Sequence, residues 1–307
     1  MQDNRRWISV YIYPATSLSD FCLDNLTKIV AVDGPCITRG QLWFFVRYRD
    51  ALGAHVRLRI QHVSQSESDQ TLDRIRSALR ENTAHLRPNG TGNTNSNNTV
   101  VVPYEPEVSR YGGPGRIGLA EAHFHASSTW VLRYATIWGK SESAKLLTAG
   151  MCMVLMLRAA FSINLCTFAE TQSVANMFIV KLTRSGKGPR NMNQALNHQW
   201  SQDSDIWLRY LSAAVSGGAD LAAPAPVAFD EWKVLCEEYC RQLDASGTTS
   251  GTKEKNPMTL IINSQIHMHN NRLGLDNLEE ARVAHCVLKY MANFSIGDTW
   301  SVNGPPG

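Results

Sequence analysis

Period-two alternation and helical periodicity divide this chain into a strand-rich beginning and a helix-rich remainder. Trp7 to Tyr13 (WISVYIY) alternates and is rich in β-branched and aromatic residues, which predicts a strand. Ser17 to Val30 carries a helical period with serines placed to cap it. Gln41 to Tyr48 (QLWFFVRY) and His55 to His62 (HVRLRIQH) read as strands joined by a short turn containing Gly53. A charged helical stretch over about 68–86 and a strand over Thr99 to Glu105 follow. The order β-α-β-β-α-β is that of the split βαβ, or ferredoxin-like, unit.

Beyond residue 117 helical patterns dominate, over about 118–139, 143–165, 170–183, 228–244, 258–273 and 277–293. An α+β class follows: one domain over 1–307, sheet-rich over residues 1–117 and mostly helical over residues 118–307. Arg87 to Asn98 has no apolar residue and predicts a mobile loop; 216–226 and 245–257 read as flexible connectors.

Composition narrows the class. With 43% apolar and 19% charged residues the chain reads as a soluble globular protein. A net charge of +3 is too small to argue for nucleic acid. The most apolar run, Leu146 to Leu157, ends at Arg158 and is too short to span a bilayer, so a buried core helix is expected and no membrane partner. Seven scattered cysteines show no CxxC spacing and no secretory segment opens the sequence, which favours reduced thiols in a cytoplasmic protein.

Several clusters could carry chemistry. His55, Arg57 and Arg59 alternate with Val56, Leu58 and Ile60, so three cationic or titratable side chains share one strand face. On the preceding strand Arg47 and Arg49 share a face, and a hairpin could set Arg47 beside that stripe. Such a stripe is either a solvated face or a site for carboxylate, phosphate or peptide carbonyl groups. Glu105, Glu107, Arg110 and Tyr111 flank a glycine turn, and either pair with the arginines or hold an active-site loop. Gly113, Gly115 and Gly118 match a dinucleotide fingerprint formally, but without a preceding strand that match is rejected. The two His-x-His pairs, at 123/125 and 267/269, point about 200° apart on a helix and cannot share a metal. His267 or His269 acting singly in proton transfer is the sharper reading; a satisfied interior histidine is the plainer one.

Read together, FFVRYRDALGAHVRLRI, YEPEVSRYGG, EAHFHASS and HMHNNRLGL, with WISVYIYP ahead of them, resemble the C-terminal lanthipeptide dehydratase domain, also called the thiopeptide-type bacteriocin biosynthesis domain, over residues 7–293. The resemblance implies one of two activities on a leader-bearing precursor peptide. One is removal of glutamate from glutamylated Ser or Thr. The other is a formal four-plus-two cycloaddition of two dehydroalanines, with loss of water and leader, giving a pyridine macrocycle.

Arg57, Arg59 and His267 match the arginine and histidine positions used in elimination, whereas Pro106-Glu107 and Ser127-Ser128 stand where elimination domains often carry Arg-Glu and Asp-Ser. The balance favours a stand-alone pyridine synthase over a split dehydratase component. The resemblance implies His267 or His269, with Tyr104 or Tyr111, for proton transfer. It implies Arg47, His55, Arg57, Arg59, Glu105, Glu107, Arg110, Glu121, Ser127 and Ser128 around the substrate, with Asn271 and Arg272 as buried support that brings one histidine toward the arginine hairpin. Neither activity requires a cofactor. The expected partners are an azole- and dehydroalanine-containing precursor peptide and pathway dehydratase subunits. A third reading is a non-catalytic scaffold taking leader peptide by strand addition at residues 7–13, or as a helix in a groove.

Overall fold

The computed structural model describes residues 6–14, 16–30, 36–38, 40–62, 64–81, 99–135, 141–185, 191–216, 225–247 and 257–293. The expected loop 87–98, most of both connectors and the ends of the helices drawn to 86 and 139 lie outside these residues. The chain forms two compact units. One takes the chain up to Pro106 together with Phe124–Arg133; the other takes Glu107–His123 and the chain from Tyr134 onward.

In the sheet unit, β1 (Arg6–Ile12), β2 (Trp43–Asp50), β3 (Gly53–His62) and β4 (Thr99–Pro103) form a four-stranded sheet in the order β2-β3-β1-β4, each pair antiparallel. Helix α1 is a run of Leu18–Phe21, a π-turn Cys22–Leu26 and a last turn Thr27–Ile29; α2 spans Gln65–Glu81. Register decides the faces. Ile8, Val10 and Ile12 pair with Ile60, Leu58 and Val56, and Trp43 and Phe45 with Ile60 and Leu58. All eight are buried, and α1 and α2 pack on β3 over this face with Phe21, Ile29, Ile75 and Leu79. Each such aliphatic side chain contributes roughly 1.5–3 kcal/mol on burial.

The β2–β3 turn closes on Asp50, whose Oδ1 accepts the Leu52 and Gly53 N–H groups at 2.9 and 3.2 Å. Gly53 sits at φ 124°, a conformation that needs glycine. β1 lies inside the sheet, paired on both edges, so it cannot accept an added strand, which removes one of the two binding modes of the leader-scaffold reading. The edge strand β2 is covered instead. The Phe45 N–H donates to Ser128 Oγ at 3.2 Å, and the Trp43 carbonyl lies 2.9 Å from His125 Nδ1.

The helical unit holds α3 (Pro114–Arg133, as far as His123), α4 (Glu142–Ser162), α5 (Phe168–Arg184), α6 (Met192–Ser216), α7 (Ala225–Ala245), α8 (Pro257–Leu273) and α9 (Asn277–Met291), and the last five are arranged about one axis. That axis is α4, which touches α5, α6, α7, α8 and α9. Its apolar residues run around its whole circumference, as a helix central to a bundle requires. By length and composition α4 alone among the described helices is apolar enough to cross a membrane, yet 78% of that apolar window is buried inside the unit.

Capping boxes start α5 at Thr167/Glu170 and α9 at Asp276/Glu279. Helix α6 was not expected from the sequence. Its first half (MNQALNHQWSQD) is amide-rich, and between Leu196 and Trp207 no residue is buried, so the 3.6-residue apolar stripe is interrupted.

Candidate functional site

In the sheet unit the face opposite the apolar core carries the cationic stripe, and it is built from aromatic rings. Pairing sets Ser9 and Phe44 beside Arg59, and Tyr11 and Val46 beside Arg57. The Arg57 guanidinium lies 3.4 Å from the Tyr48 ring centroid and 4.5 Å from that of Tyr11. Arg59 lies 4.7 Å from Tyr104 and 5.3 Å from Phe44, and Tyr104 also meets Trp7 edge-on at 5.4 Å. Stacking of this kind orients a guanidinium without neutralising it.

His55 anchors the array. It is fully buried between Tyr11, Tyr13 and Tyr48, at 5.1, 4.6 and 5.5 Å between ring centroids. Arg57 Nε donates to His55 Nε2 at 3.2 Å, which places the imidazole proton on Nδ1, 3.2 Å from the Gly53 carbonyl. Burial pushes His55 below its ordinary value, opposed by that carbonyl and by Asp50. Asp50 also accepts from Tyr13 Oη at 2.9 Å; burial, then this bond, pushes Tyr13 up to about 12. His55 is therefore a neutral acceptor that holds Arg57 by Nε. Among the described residues neither terminal nitrogen of Arg57 makes a hydrogen bond. The result is a planar, charged two-nitrogen edge suited to a carboxylate or a carbonyl.

Arg47 does not join this array. The register sets Arg47 opposite Val56 and Val46 opposite Arg57, so Arg47 faces the helices and donates to Ser19 Oγ at 3.0 Å. The sequence left the hairpin register open, and a one-residue shift reverses every face. Ser127 and Ser128 are buried, and the Ser128 hydroxyl serves the β2 edge. Glu105 is exposed.

In the helical unit the two histidines of HMHNNRL diverge. His269 is 2% exposed and lies against Trp232, ring centroids 3.9 Å apart. Burial, then the charge of Arg272, pushes His269 well below its ordinary value. His123 behaves alike: packed on Tyr239 at 4.4 Å, it is pushed down to about 3 by burial and Arg272. Both are interior histidines held toward the neutral form, so of the two histidines in HMH it is His267, not His269, that keeps an accessible side chain.

His267 is different. Its side chain is 24% accessible, and Nδ1 lies 2.9 Å from both oxygens of Glu280, itself 3% exposed. A short reversal makes the pair possible. The Gly274 and Leu275 N–H groups bond back to the Asn270 carbonyl at 3.0 Å, with Gly274 at φ 89°, and α9 then runs back past α8.

The remaining expected residues sit as follows. Tyr111 is 2% exposed and Arg272 fully buried; Glu121 is buried. Buried support within α8 comes from Asn270 and Arg272, while Asn271, expected in that role, is only half-buried. Arg110 bridges Glu107 Oε2 at 2.8 Å and Ser264 Oγ at 3.0 Å, so the Glu107–Arg110 pair closes on itself and on α8. Sequence reasoning missed Glu280, Tyr11, Tyr13, Tyr48 and Asp50. The tyrosines alternate in the right phase, but no sequence signal ties Glu280 to His267. Among the described residues no group of three or more His, Cys, Asp or Glu is placed to hold a metal.

Comparison with known proteins places this architecture. The family model for the lantibiotic biosynthesis dehydratase C-terminal region matches residues 7–291. A search of curated protein sequences gave no significant match. Among solved structures, the tRNA-dependent lantibiotic dehydratase MibB from Microbispora sp. 107891 superposes with a TM-score of 0.66 at 18% identity, covering 94% of this chain and 28% of MibB. This chain thus spans little more than a quarter of that protein. TbtD, a pyridine synthase from thiomuracin biosynthesis, gives 0.66 at 16% identity, covering 94% of this chain and 98% of TbtD. TsrL gives 0.62 at 14% identity, with 94% and 95% covered. At these identities the superpositions establish a shared fold. With the model matched from the first strand to the last helix, the chain belongs to the lantibiotic biosynthesis dehydratase C-terminal family.

Proposed function

We propose that this chain is an enzyme of ribosomal peptide natural-product maturation, and specifically a pyridine synthase. Its substrate on this reading is a leader-bearing precursor peptide in the cytoplasm, carrying azoles and two dehydroalanines. The observation that carries the choice is the departure from the elimination pattern, Pro106 where an arginine often stands and Ser127 where an aspartate does. Both losses weaken recognition of a glutamyl leaving group. The extent of the likeness to TbtD, over 98% of that chain, supports the same reading. We also read the sheet unit as ferredoxin-like, supported by its β-α-β-β-α-β order and the strand order β2-β3-β1-β4.

In this reaction the amide beside one dehydroalanine reacts as its iminol, giving a 2-aza-diene, and the second dehydroalanine is the dienophile. Holding two residues of one peptide in near-attack geometry supplies much of the acceleration. The Arg57 edge positions a peptide carbonyl, and His267 moves protons during iminol formation and loss of water and leader carboxamide. Arg59 and Tyr104 assist the positioning. The chemistry calls for no cofactor.

The alternative, glutamate elimination, draws on the same Arg57, Arg59 and His267. One experiment separates them. The purified protein is given a leader-bearing peptide with both dehydroalanines installed and, separately, a glutamylated precursor, each followed by mass spectrometry. Macrocycle and free leader from the first peptide alone support the synthase. Loss of glutamate from the second overturns it in favour of elimination. Tight leader binding without either product, unaffected by His267→Ala, points to a scaffold.

A further inference from the structure

Glu279 and Glu280 are adjacent carboxylates at the start of α9 with separate partners. Glu279 closes the capping box with Asp276 and pairs with Lys145 at 2.7 Å. Glu280, 3% exposed, has no described partner except His267 Nδ1, 2.9 Å from each oxygen. A buried carboxylate is costly unless hydrogen-bonded. Here the N-terminal turn of α9 and a single imidazole stabilise it. A carboxylate accepts only, so the imidazole nitrogen facing it must carry hydrogen.

The other nitrogen, Nε2, has no hydrogen-bond partner among the described residues, on a side chain that is partly accessible. His269, two residues on, is by contrast packed on Trp232. We infer that Glu280 is a positioning residue that fixes His267 in the tautomer protonated on Nδ1 and leaves the Nε2 lone pair facing outward as the base. Proton uptake at Nε2 then creates an imidazolium directly against a carboxylate, which stabilises the charge without Glu280 touching the substrate. The inference rests on the reading of His267 as the proton-transfer residue.

The test uses the full chain labelled with ring-15N histidine, with the His267 signals assigned as those lost in His267→Gln. At neutral pH, long-range proton–nitrogen correlation is expected to show Nδ1 protonated and Nε2 bare. In Glu280→Gln and Glu280→Ala the pattern is expected to shift toward the Nε2-protonated form or average between the two. A wild-type signal from the Nε2-protonated tautomer overturns the inference, as does an unchanged tautomer in folded variants. If a variant does not fold, the wild-type spectrum decides alone.

With whichever peptide the wild-type protein converts, Glu280→Gln is expected to lower kcat at least tenfold with KM unchanged. An unaltered kcat refutes the positioning role. Conversion of neither peptide by wild type defeats the proposed function itself, and the tautomer then decides the geometry separately.

Discussion

Acid is expected to destabilise the helical unit through its interior histidines, by an amount that follows from their burial. His123, 5% exposed, is held down to about 3 from an ordinary value of 6.5, with burial the larger cause and the Arg272 charge the smaller. The folded-state value lies below the unfolded one, so below pH 6.5 the unfolded chain binds the proton and the folded chain does not. Stability from this residue is complete above pH 6.5 and declines as pH falls toward about 3.

Each pH unit is worth about 1.4 kcal/mol per histidine, and integrating from pH 7 to pH 5 gives about 2 kcal/mol for His123. His269 is displaced in the same direction and steepens the decline. With a urea slope of about 3 kcal/mol per molar, His123 alone moves the midpoint by about 0.6 M over that interval. The assay is urea unfolding at pH 7, 6 and 5 for wild type and His123→Phe, in which carboxylate titration is common to both. The variant is expected to lose about a third of a molar of pH dependence per unit. Parallel slopes in the two proteins would refute the neutral, buried state of His123.

Three further outcomes follow from the packing and the stacked arginine. A Cβ at Gly150 would meet the Trp207 ring at 2.5 Å, so Gly150→Ala is expected to destabilise by up to about 2 kcal/mol despite the roughly 1 kcal/mol alanine gains inside a helix. A rise in Tm would show that α6 yields freely. All seven cysteines are free and buried, with burial pushing Cys36 up to about 11 and Cys166 and Cys286 up to about 12. A thiol reagent is therefore expected to label the native protein slowly and all seven thiols at once in denaturant, and fast native labelling would contradict the burial. Arg57→Lys loses both the Nε bond to His55 and the stacking on Tyr48, and is expected to weaken precursor-peptide binding about 10- to 100-fold in a calorimetric titration. Undiminished binding would remove Arg57 from the site.

The sequence carried most of the local structure, because alternation and helical period are local signals. All four strands and most helices fell where the patterns put them, within a few residues. What it lacked was register and distance. The assignment of Arg47 to the stripe turned on a one-residue register that no strand pattern fixes. The stripe itself was legible, but not that three tyrosines and a buried histidine hold it, since these come from β1, the residue just past its end, β2 and β3. Helical geometry separated His267 from His269 correctly without saying which was interior; Trp232, some 35 residues earlier, decides that. Glu280 is one of two acidic residues in the first turn of α9, and only the reversal at Gly274 makes it a partner of His267.

The cover on β2 has a consequence for how the chain is made. All four strands are encoded before residue 106, yet the side chains that satisfy the outer edge of β2 arrive with His125 and Ser128. During synthesis the sheet is therefore complete in strands while one edge still offers bare N–H and C=O groups. An exposed edge of this kind recruits other strands. A proteolytic or recombinant piece ending at residue 106 is accordingly expected to self-associate more readily than one that also carries Phe124–Arg133, which light scattering on the two pieces would check. A stretch read in the sequence for its histidines and serines thus supplies, later in synthesis, the groups that satisfy the β2 edge.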